Sequence, residues 1–206
     1  MFNNQNFIKM KKFLAFLMTF ALLLGVSSCT SCNKEVKQME TMVEQVVQSD
    51  RQYMCDHYGC GYIYYETQIV LNEWLDDENC TGTVASIKNV FQIVEGEDTA
   101  FSPRVYLFKH TDTSFTVQVV EDFWIEDYDM AKDDITVTYR QAYKNLMKAN
   151  CIKPHTKDCV LRKMVGPYDC NPQYIFGDAF DECVFVDAVN GRVSVNNPAF
   201  TPPQVE

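Results

Sequence analysis

The chain has few histidines and lacks the short motifs that mark common enzyme classes. Only three histidines occur, His57, His110 and His155, so general bases and nitrogen ligands for metals are scarce. No G-x-S-x-G, H-E-x-x-H, P-loop or Rossmann glycine pattern is present. We therefore expect a protein without catalytic residues, with a Cys/His metal-dependent or carboxylate-based enzyme as the alternative.

Positive charge is also sparse. The 206 residues include 18 Lys+Arg against 28 Asp+Glu, a formal net charge of -10. A chain this acidic lacks the basic surface that binds phosphate backbones, which argues against a nucleic-acid partner. Hydrophobic residues make up 47% of the chain, enough to build a core and to exclude global disorder.

No apolar run reaches the roughly 20 residues of a membrane-spanning helix. Residues 1–28 carry lysines and no acidic residue, and residues 13–26 are apolar except for Thr19. A basic start, an apolar stretch of about 7–15 residues and small residues after it are typical of an export signal. The sequence therefore predicts an exported protein.

The end of this signal resembles the lipobox of bacterial lipoproteins. Val26, Ser27 and Ser28 precede Cys29, in the order apolar, small, small, cysteine. The resemblance implies that the Cys29 thiol is lipidated and becomes the first residue after cleavage. It predicts a location in the bacterial cell envelope, with a lipid anchor in a membrane and the domain facing the periplasm or the exterior.

Eight cysteines remain once Cys29 is assigned to lipid. An even number in an exported chain favours a disulfide framework. Proximity favours Cys55–Cys60 and Cys151–Cys159, and Cys170–Cys183 would tie neighbouring strands. Cys32 and Cys80 are left over and could pair. The candidates are Cys32, Cys55, Cys60, Cys80, Cys151, Cys159, Cys170 and Cys183.

Metal binding and free thiols are the alternatives for these cysteines. Cys151, His155 and Cys159 form one possible ligand set, and His57 with its two neighbouring cysteines forms another. Zinc prefers four ligands and each set offers three, so we expect no metal or cofactor.

The hydrophobic pattern predicts an α+β fold, with two helices packed on an antiparallel sheet. Apolar residues recur at helical spacing from Val36 to about Met54 and again from Tyr139 to Met147. Residues 62–75 fit either a strand or a helix. Predicted strands cover 83–94, 104–109, 114–120, 159–165, 173–176, 183–189 and 192–195. The order is helix then strands, twice, without a visible repeat of residues.

Two local signals mark the last third of the chain. Thr138 and Gln141 have the spacing of a capping box at the start of the second helix. Asn190-Gly191 between apolar runs predicts a hairpin with a type I′ turn. Strand alternation places Val184, Val186 and Ala188 toward the helix and Asp187 toward solvent or a turn.

Residues 135–195 resemble the PepSY domain of exported bacterial proteins. A capped helix precedes antiparallel strands whose last hairpin fits the pattern V-D-A-x-x-G-x-V. Asn190 stands where that family more often has threonine. The resemblance implies a helix packed on a small sheet, and binding or restraint of a peptidase or a sensing role. It supplies no catalytic residue. The matching positions are Val186, Asp187, Ala188, Gly191 and Val193.

The sequence also predicts domain boundaries. We expect a signal peptide at 1–28, a tether at 29–34 and an acidic, strand-rich region at 35–134. A PepSY-like unit at 135–198 and a disordered tail at 199–206 complete the chain.

Charge is segregated along the chain, which suggests a protein or peptide partner. Residues 55–134 hold 17 acidic and 4 basic residues, whereas residues 135–172 hold 2 and 7. An acidic surface interleaved with aromatic rings suits a basic partner. The alternatives are a solvated edge, two stretches that face each other, or a calcium loop through Asp127, Asp129 and Asp133. The partner-binding candidates are Phe123, Trp124, Glu126, Asp127 and Tyr128.

Overall fold

Helices and one antiparallel sheet make up the fold. The computed structural model describes residues 42–93, 104–121, 128–177 and 182–202. Within these residues the helices are α1 (Met42–Tyr58) and α2 (Tyr139–Lys148). The strands are β1 (Ile63–Leu71), β2 (Val84–Ile93), β3 (Arg104–Thr111), β4 (Phe115–Glu121), β5 (Asp158–Arg162), β6 (Gln173–Phe176), β7 (Val184–Asp187) and β8 (Val193–Ser194).

The sheet has the order β4-β3-β2-β1-β5-β6-β7-β8, and every neighbouring pair is antiparallel. The chain therefore forms a helix followed by four consecutively paired strands, and then does so again. We call α1 with β1–β4 the first half and α2 with β5–β8 the second half. The two halves join where β1 pairs with β5. The predicted α+β class and the predicted order of helix then strands, twice, are confirmed.

Helix α1 lies on the first half through one buried stripe. Val43, Val46, Asp50 and Met54 follow helical spacing, and all four are buried. This stripe agrees with the predicted helix as far as Met54, while Val36 and Met39 lie outside the described residues. The ambiguous stretch 62–75 contains strand β1, which pairs on both sides and occupies the centre of the sheet.

Helix α2 begins and packs as the sequence predicts. Thr138 Oγ1 accepts a hydrogen bond from Gln141 N, and the Gln141 side chain accepts one from Thr138 N, so the capping box is confirmed. The apolar face of α2 shares one buried cluster with the inward residues of β7 and the alanine after it. That cluster includes Tyr139, Ala142, Tyr143, Leu146, Val184, Val186 and Ala188.

The β7–β8 hairpin is confirmed, but its predicted type I′ turn is wrong. That turn needs positive φ at both central residues, and only Gly191 has it, at 75°. Asp187 Oδ1 instead accepts from Val189 N and Asn190 N, and Gly191 N donates to Asp187 O. The Asp187 carboxylate organises a longer turn, and it points away from α2 as predicted.

The loop between β1 and β2 belongs to the first half but is fastened to the helix of the second half. Three side chains of α2 donate hydrogen bonds to three successive carbonyl oxygens of this loop. The loop pairs are Tyr139 with Gly82, Arg140 with Thr81 and Tyr143 with Cys80, at 2.7–2.9 Å. In addition, the backbone amide of Tyr139 donates to Glu44 Oε1 of α1 at 2.7 Å.

The end of the described chain is packed rather than frayed. Residues Pro198–Phe200 form a 3-10 turn, Ala199 is buried, and Tyr168 N donates to Ala199 O. Of the tail predicted to be disordered at 199–206, residues 199–202 are described, and Ala199 fits against the loop at Gly166. Residues 203–206 lie outside the described residues. Among the described residues, no helix has the length and apolar character to cross a membrane.

Candidate functional site

Strand β4 forms one edge of the sheet and is largely exposed. Residues Thr116 to Val119 are all exposed, and no described strand pairs with the side of β4 that faces away from β3. An edge of this kind presents backbone N–H and C=O groups that another strand can use. β4 is therefore the place where the described sheet can be extended.

Apolar side chains line the helix-facing side of this edge. Phe115, Val117 and Val119 lie opposite His110, Phe108 and Tyr106 of β3. The β3 residues Phe108 and Tyr106 are buried under α1, whereas Val117 is 37% exposed and Val119 is 49% exposed. These apolar side chains thus extend the core-facing side of the sheet beyond the part that α1 covers.

The last turn of α1 adds an aromatic ring beside these side chains. Tyr58 is 45% exposed, and its ring centroid lies 4.7 Å from that of Tyr106, the residue opposite Val119. Desolvation and the neighbouring Tyr106 raise the pKa of Tyr58 to about 12, so its hydroxyl stays neutral. We call Tyr58, Phe115, Val117 and Val119 the edge patch.

A disulfide ties down the end of α1 that carries this ring. Cys55 and Cys60 are bonded, which confirms the pairing predicted from their proximity. Tyr53 stacks on His57 at 3.9 Å and also makes an edge-to-face pair with Phe108 of β3. The bond and the stacked rings together hold Tyr58 next to the β4 edge.

The backbone groups of β4 alternate between the two sides of the strand. Thr111 N donates to Ser114 O at 2.9 Å in the β3–β4 turn. Because hydrogen-bonded and non-bonded pairs alternate in an antiparallel ladder, Thr116, Gln118 and Val120 bond to β3. The N–H and C=O groups of Phe115, Val117, Val119 and Glu121 then face the open side. The side chains of these residues also lie on the helix-facing side.

The opposite edge of the sheet offers much less. Strand β8 has two residues, Val193 and Ser194, and Pro198 follows soon after it. Short edge strands and nearby prolines are common means of blocking edge pairing. β4 has seven residues, and from Phe115 to Val120 it contains neither a charge nor a proline.

A buried polar chain crosses the first half beneath α1. The carboxylate of Asp50, 2% exposed, accepts from His110 Nε2 at 2.9 Å and from Asn89 Nδ2 at 2.7 Å. Asn89 Oδ1 accepts from Thr67 Oγ1, which also bonds to the Tyr64 hydroxyl, each at 2.5 Å. Burial raises the pKa of Tyr64, which keeps its hydroxyl neutral in this chain.

The Asp50–His110 pair resembles half of a hydrolytic triad in chemistry, but the described residues do not complete one. A carboxylate orients the imidazole in such sites, and the other ring nitrogen activates a nucleophile. Within the described ranges, no serine, threonine or cysteine side chain is hydrogen-bonded to His110. The cavity beside it, lined by Val84, Ile87 and Thr111, has a volume of about 10 Å³, enough for one water molecule.

The remaining cysteines differ from the predicted framework. Cys80, Cys151, Cys159 and Cys170 are thiols, so the pairings predicted for Cys151–Cys159 and Cys170–Cys183 are absent. Cys159 points from β5 into the core, and burial raises its pKa well above the usual value of a thiol. It therefore packs as an apolar residue. Cys29 and Cys32 lie outside the described residues.

The histidines have separate sets of partners. His57 stacks on Tyr53, His110 bonds to Asp50, and His155 Nδ1 lies 3.0 Å from Asp76 while its ring stacks on Trp74. Over the described parts of the chain, no three histidine, cysteine or acidic side chains converge as metal ligands. Cys55 and Cys60 are unavailable to a metal because they are bonded to each other.

The predicted partner-binding residues are only partly placed. Phe123, Trp124, Glu126 and Asp127 lie outside the described residues. Tyr128 is half-buried, with the Lys163 ammonium 5.6 Å from its ring centroid. Of the carboxylates in the calcium alternative, Asp129 accepts from the backbone amides of Tyr64 and Ala131, and Asp133 pairs with Lys163.

The basic and acidic stretches of the sequence meet in the fold. Lys163 pairs with Asp133 at 3.7 Å, and Arg162 Nη1 lies 3.8 Å from Glu66 Oε2. His155 with Asp76 is a third contact of this kind. These contacts favour the alternative in which the acidic and basic stretches face each other in the fold.

Sequence reasoning missed both the edge patch and the polar chain. The run from Phe115 to Val120 carries neither a charge nor a proline, whereas edge strands normally carry one, so no local pattern marks β4 as an edge. Nor does any local pattern link Asp50 and His110, which are 60 residues apart. Comparison with protein-family models, with curated proteins and with solved structures finds no match to this chain.

Proposed function

We propose that this protein is a membrane-anchored lipoprotein of the bacterial envelope that binds a protein or peptide without catalysis. The observation that carries the proposal is the edge patch on a seven-residue edge strand that has no charge before Glu121. A partner segment in extended conformation would add to the sheet beside β4. Backbone hydrogen bonds would hold it, and alternate apolar side chains would select it.

The energetics of strand addition suit this edge. Four residues of β4 turn their backbone groups to the open side, and each bond to a partner contributes about 0.5–1.5 kcal/mol net. Covering the exposed parts of Val117 and Val119 would contribute about 1–2 kcal/mol each. These terms together are consistent with a specific but moderate affinity.

The anchor is the second part of the proposal. It is supported by the basic, apolar leader and the tetrad that ends in Cys29. Cys29→Ala should abolish metabolic labelling with palmitate and stop processing to the mature size. Unchanged labelling of that variant would remove the anchor from the proposal.

The PepSY-like character of residues 135–198 remains part of this proposal. Its support is the packing of the capped helix α2 against β7, which is the arrangement that the resemblance implies. Restraint of a peptidase is the binding role that follows from it. Such a role needs no catalytic residue in this chain.

A peptide-binding measurement tests the binding role. The probe is a fluorescein-labelled peptide of alternating valine and threonine, as long as β4. The control peptide has the same sequence except for a central proline, which cannot donate a strand hydrogen bond. Fluorescence anisotropy should show binding of the first peptide only. Val119→Lys should weaken it by about tenfold or more, because a lysine on an edge strand opposes pairing.

Ile152→Lys is the matched control, since Ile152 is the most exposed of the large apolar side chains among the described residues, at 80%, and lies far along the chain from β4. It should leave the affinity unchanged. Equal binding of the proline peptide, or equal effects of the two lysine substitutions, would contradict binding at the edge.

A carboxylate- and histidine-based enzyme is the second candidate, and the Asp50–His110 pair favours it. His110→Gln should then abolish hydrolysis of a chromogenic ester such as p-nitrophenyl acetate by the folded protein. The matched variant His155→Gln, whose histidine also contacts an aspartate, should leave turnover intact. Equal and slow hydrolysis by both variants would reject this candidate.

A further inference from the structure

We propose that the segment received by the edge patch is strand β4 of a second copy of this chain, paired antiparallel about a two-fold axis at Gln118. The inference rests on the binding surface of the proposed function and names its occupant. The pairing would join the eight-stranded sheets of two copies, through their β4 edges, into one continuous sheet.

The segment that would fit the β4 edge has the same sequence character as β4 itself. The open side of the strand calls for an extended, uncharged segment with branched apolar side chains at alternate positions. β4 supplies this with Val117 and Val119 on one face and Thr116, Gln118 and Val120 on the other. A self-complementary edge is what a two-fold interface requires, since each residue must meet its counterpart under the same operation.

The register follows from the backbone. Residues 115, 117, 119 and 121 turn their N–H and C=O groups outward, so these residues must form the hydrogen-bonded pairs of any added antiparallel strand. Two-fold pairing about Gln118 matches Val117 with the second copy's Val119, and Phe115 with its Glu121. The four bonded pairs therefore use every outward group of β4, giving about eight hydrogen bonds.

The side chains agree with this register. Both valines of one copy face both valines of the other, so the two apolar strips merge into one on the helix-facing side. Gln118 lies on the axis, where its uncharged amide can bond to its counterpart. A charged residue there would meet a like charge directly opposite, which destabilises strand pairing.

The charges near the edge are also kept apart. Glu121 is the only charged residue of β4, and Arg104 of β3 lies opposite it in the register. In the two-fold arrangement the two Glu121 side chains stand at opposite ends of the paired strands, about 20 Å apart. Although the whole chain has a net charge of -10, the strands that would touch carry no like charges in contact.

Single cysteines placed on β4 test the register directly. Thr116 and Gln118 are both exposed and share one face of the strand. In the proposed pairing the two Gln118 Cα atoms lie about 4.5 Å apart, within disulfide range, whereas the two Thr116 Cα atoms lie about 14 Å apart. Each substitution, Gln118→Cys or Thr116→Cys, is made separately in the full-length chain and tested in membranes. The wild-type chain gives the background yield of dimer that comes from its own thiols.

Mild oxidation should convert Gln118→Cys to a covalent dimer with roughly tenfold higher yield than Thr116→Cys, because only the first pair meets disulfide geometry. Adding Val119→Lys to the Gln118→Cys chain should bring the yield down to background, since two lysines would enter the merged strip. The thermal unfolding of each variant is recorded to show that the fold is intact.

Equal yields from the two cysteine variants, or a higher yield from Thr116→Cys, would overturn the proposed pairing. A monomeric Gln118→Cys chain that still binds the valine–threonine peptide would overturn the second copy as occupant and leave the proposed function standing. Loss of both results would reject the surface itself.

Discussion

The two halves of the molecule share one order of elements but differ in what holds each helix to its strands. In the first half the strands have 7 to 10 residues, and a chain of buried polar side chains runs beneath α1. In the second half the strands have 2 to 5 residues, and the side chains of α2 that meet the sheet are apolar or aromatic.

This difference shows that one architecture can be stabilised in two ways. Packing of α2 on β7 depends on volume and shape, so it tolerates apolar substitutions that conserve volume. The stability of the buried polar chain depends on each of its side chains, because a buried donor that loses its acceptor has still lost its hydrogen bonds to water. It also fixes the position of α1 above β2 and β3, through Asn89 and His110.

The largest effect is expected in the apolar half. Leu146 is fully buried between α2 and the sheet, and Leu146→Ala should lower the free energy of unfolding by about 2–5 kcal/mol. The loss combines the transfer of the side chain to water with the cavity that it leaves. Urea denaturation, followed by circular dichroism, measures the change.

Lys144→Ala is the control on the same helix, because Lys144 is exposed. It should cost less than about 0.5 kcal/mol. Equal, small losses for the two variants would mean that α2 contributes little through packing, and the contrast between the halves would disappear.

A smaller effect is expected in the polar half. Asp50→Ala removes the acceptor of two side-chain donors, Asn89 Nδ2 and His110 Nε2. Leaving buried donors unsatisfied should cost about 1–3 kcal/mol, measured by the same urea titration. Gln48→Ala, at an exposed position of α1, is the control and should have almost no effect.

The partner variant Asn89→Ala sharpens this test. If the polar chain acts as one unit, Asp50→Ala and Asn89→Ala together should cost less than the sum of the two single losses. Strict additivity would show two independent contacts, and the description of a connected chain would be wrong.

The parts of the fold that the sequence predicted are those encoded by neighbours along the chain. The cap at Thr138, the apolar stripe of α2 and the alternation in β7 each depend on residues a few positions apart. The Cys55–Cys60 bond is local in the same sense. Strand β1 was ambiguous because it is central and buried on both faces, which removes the alternating pattern of a half-exposed strand.

The parts that were missed depend on long-range pairing or on competition between local interactions. Cys151 and Cys159 are close in sequence, but Cys159 is fully buried in β5 and both are thiols. The turn after Asp187 follows its carboxylate rather than the Asn-Gly pair. The edge patch exists only because β4 is the last strand in the sheet order, which no local pattern specifies.

The smallest predicted effect concerns the N-terminal cap of α2, which stabilises the second half without touching its apolar core. Thr138→Ala removes the oxygen that accepts from Gln141 N and should cost about 1 kcal/mol in the urea titration. Thr138→Ser keeps that oxygen and should restore most of the loss. If serine and alanine at this position destabilise equally, then the lost term is the packing of the threonine methyl group, and the second half depends on apolar contacts even at the start of its helix.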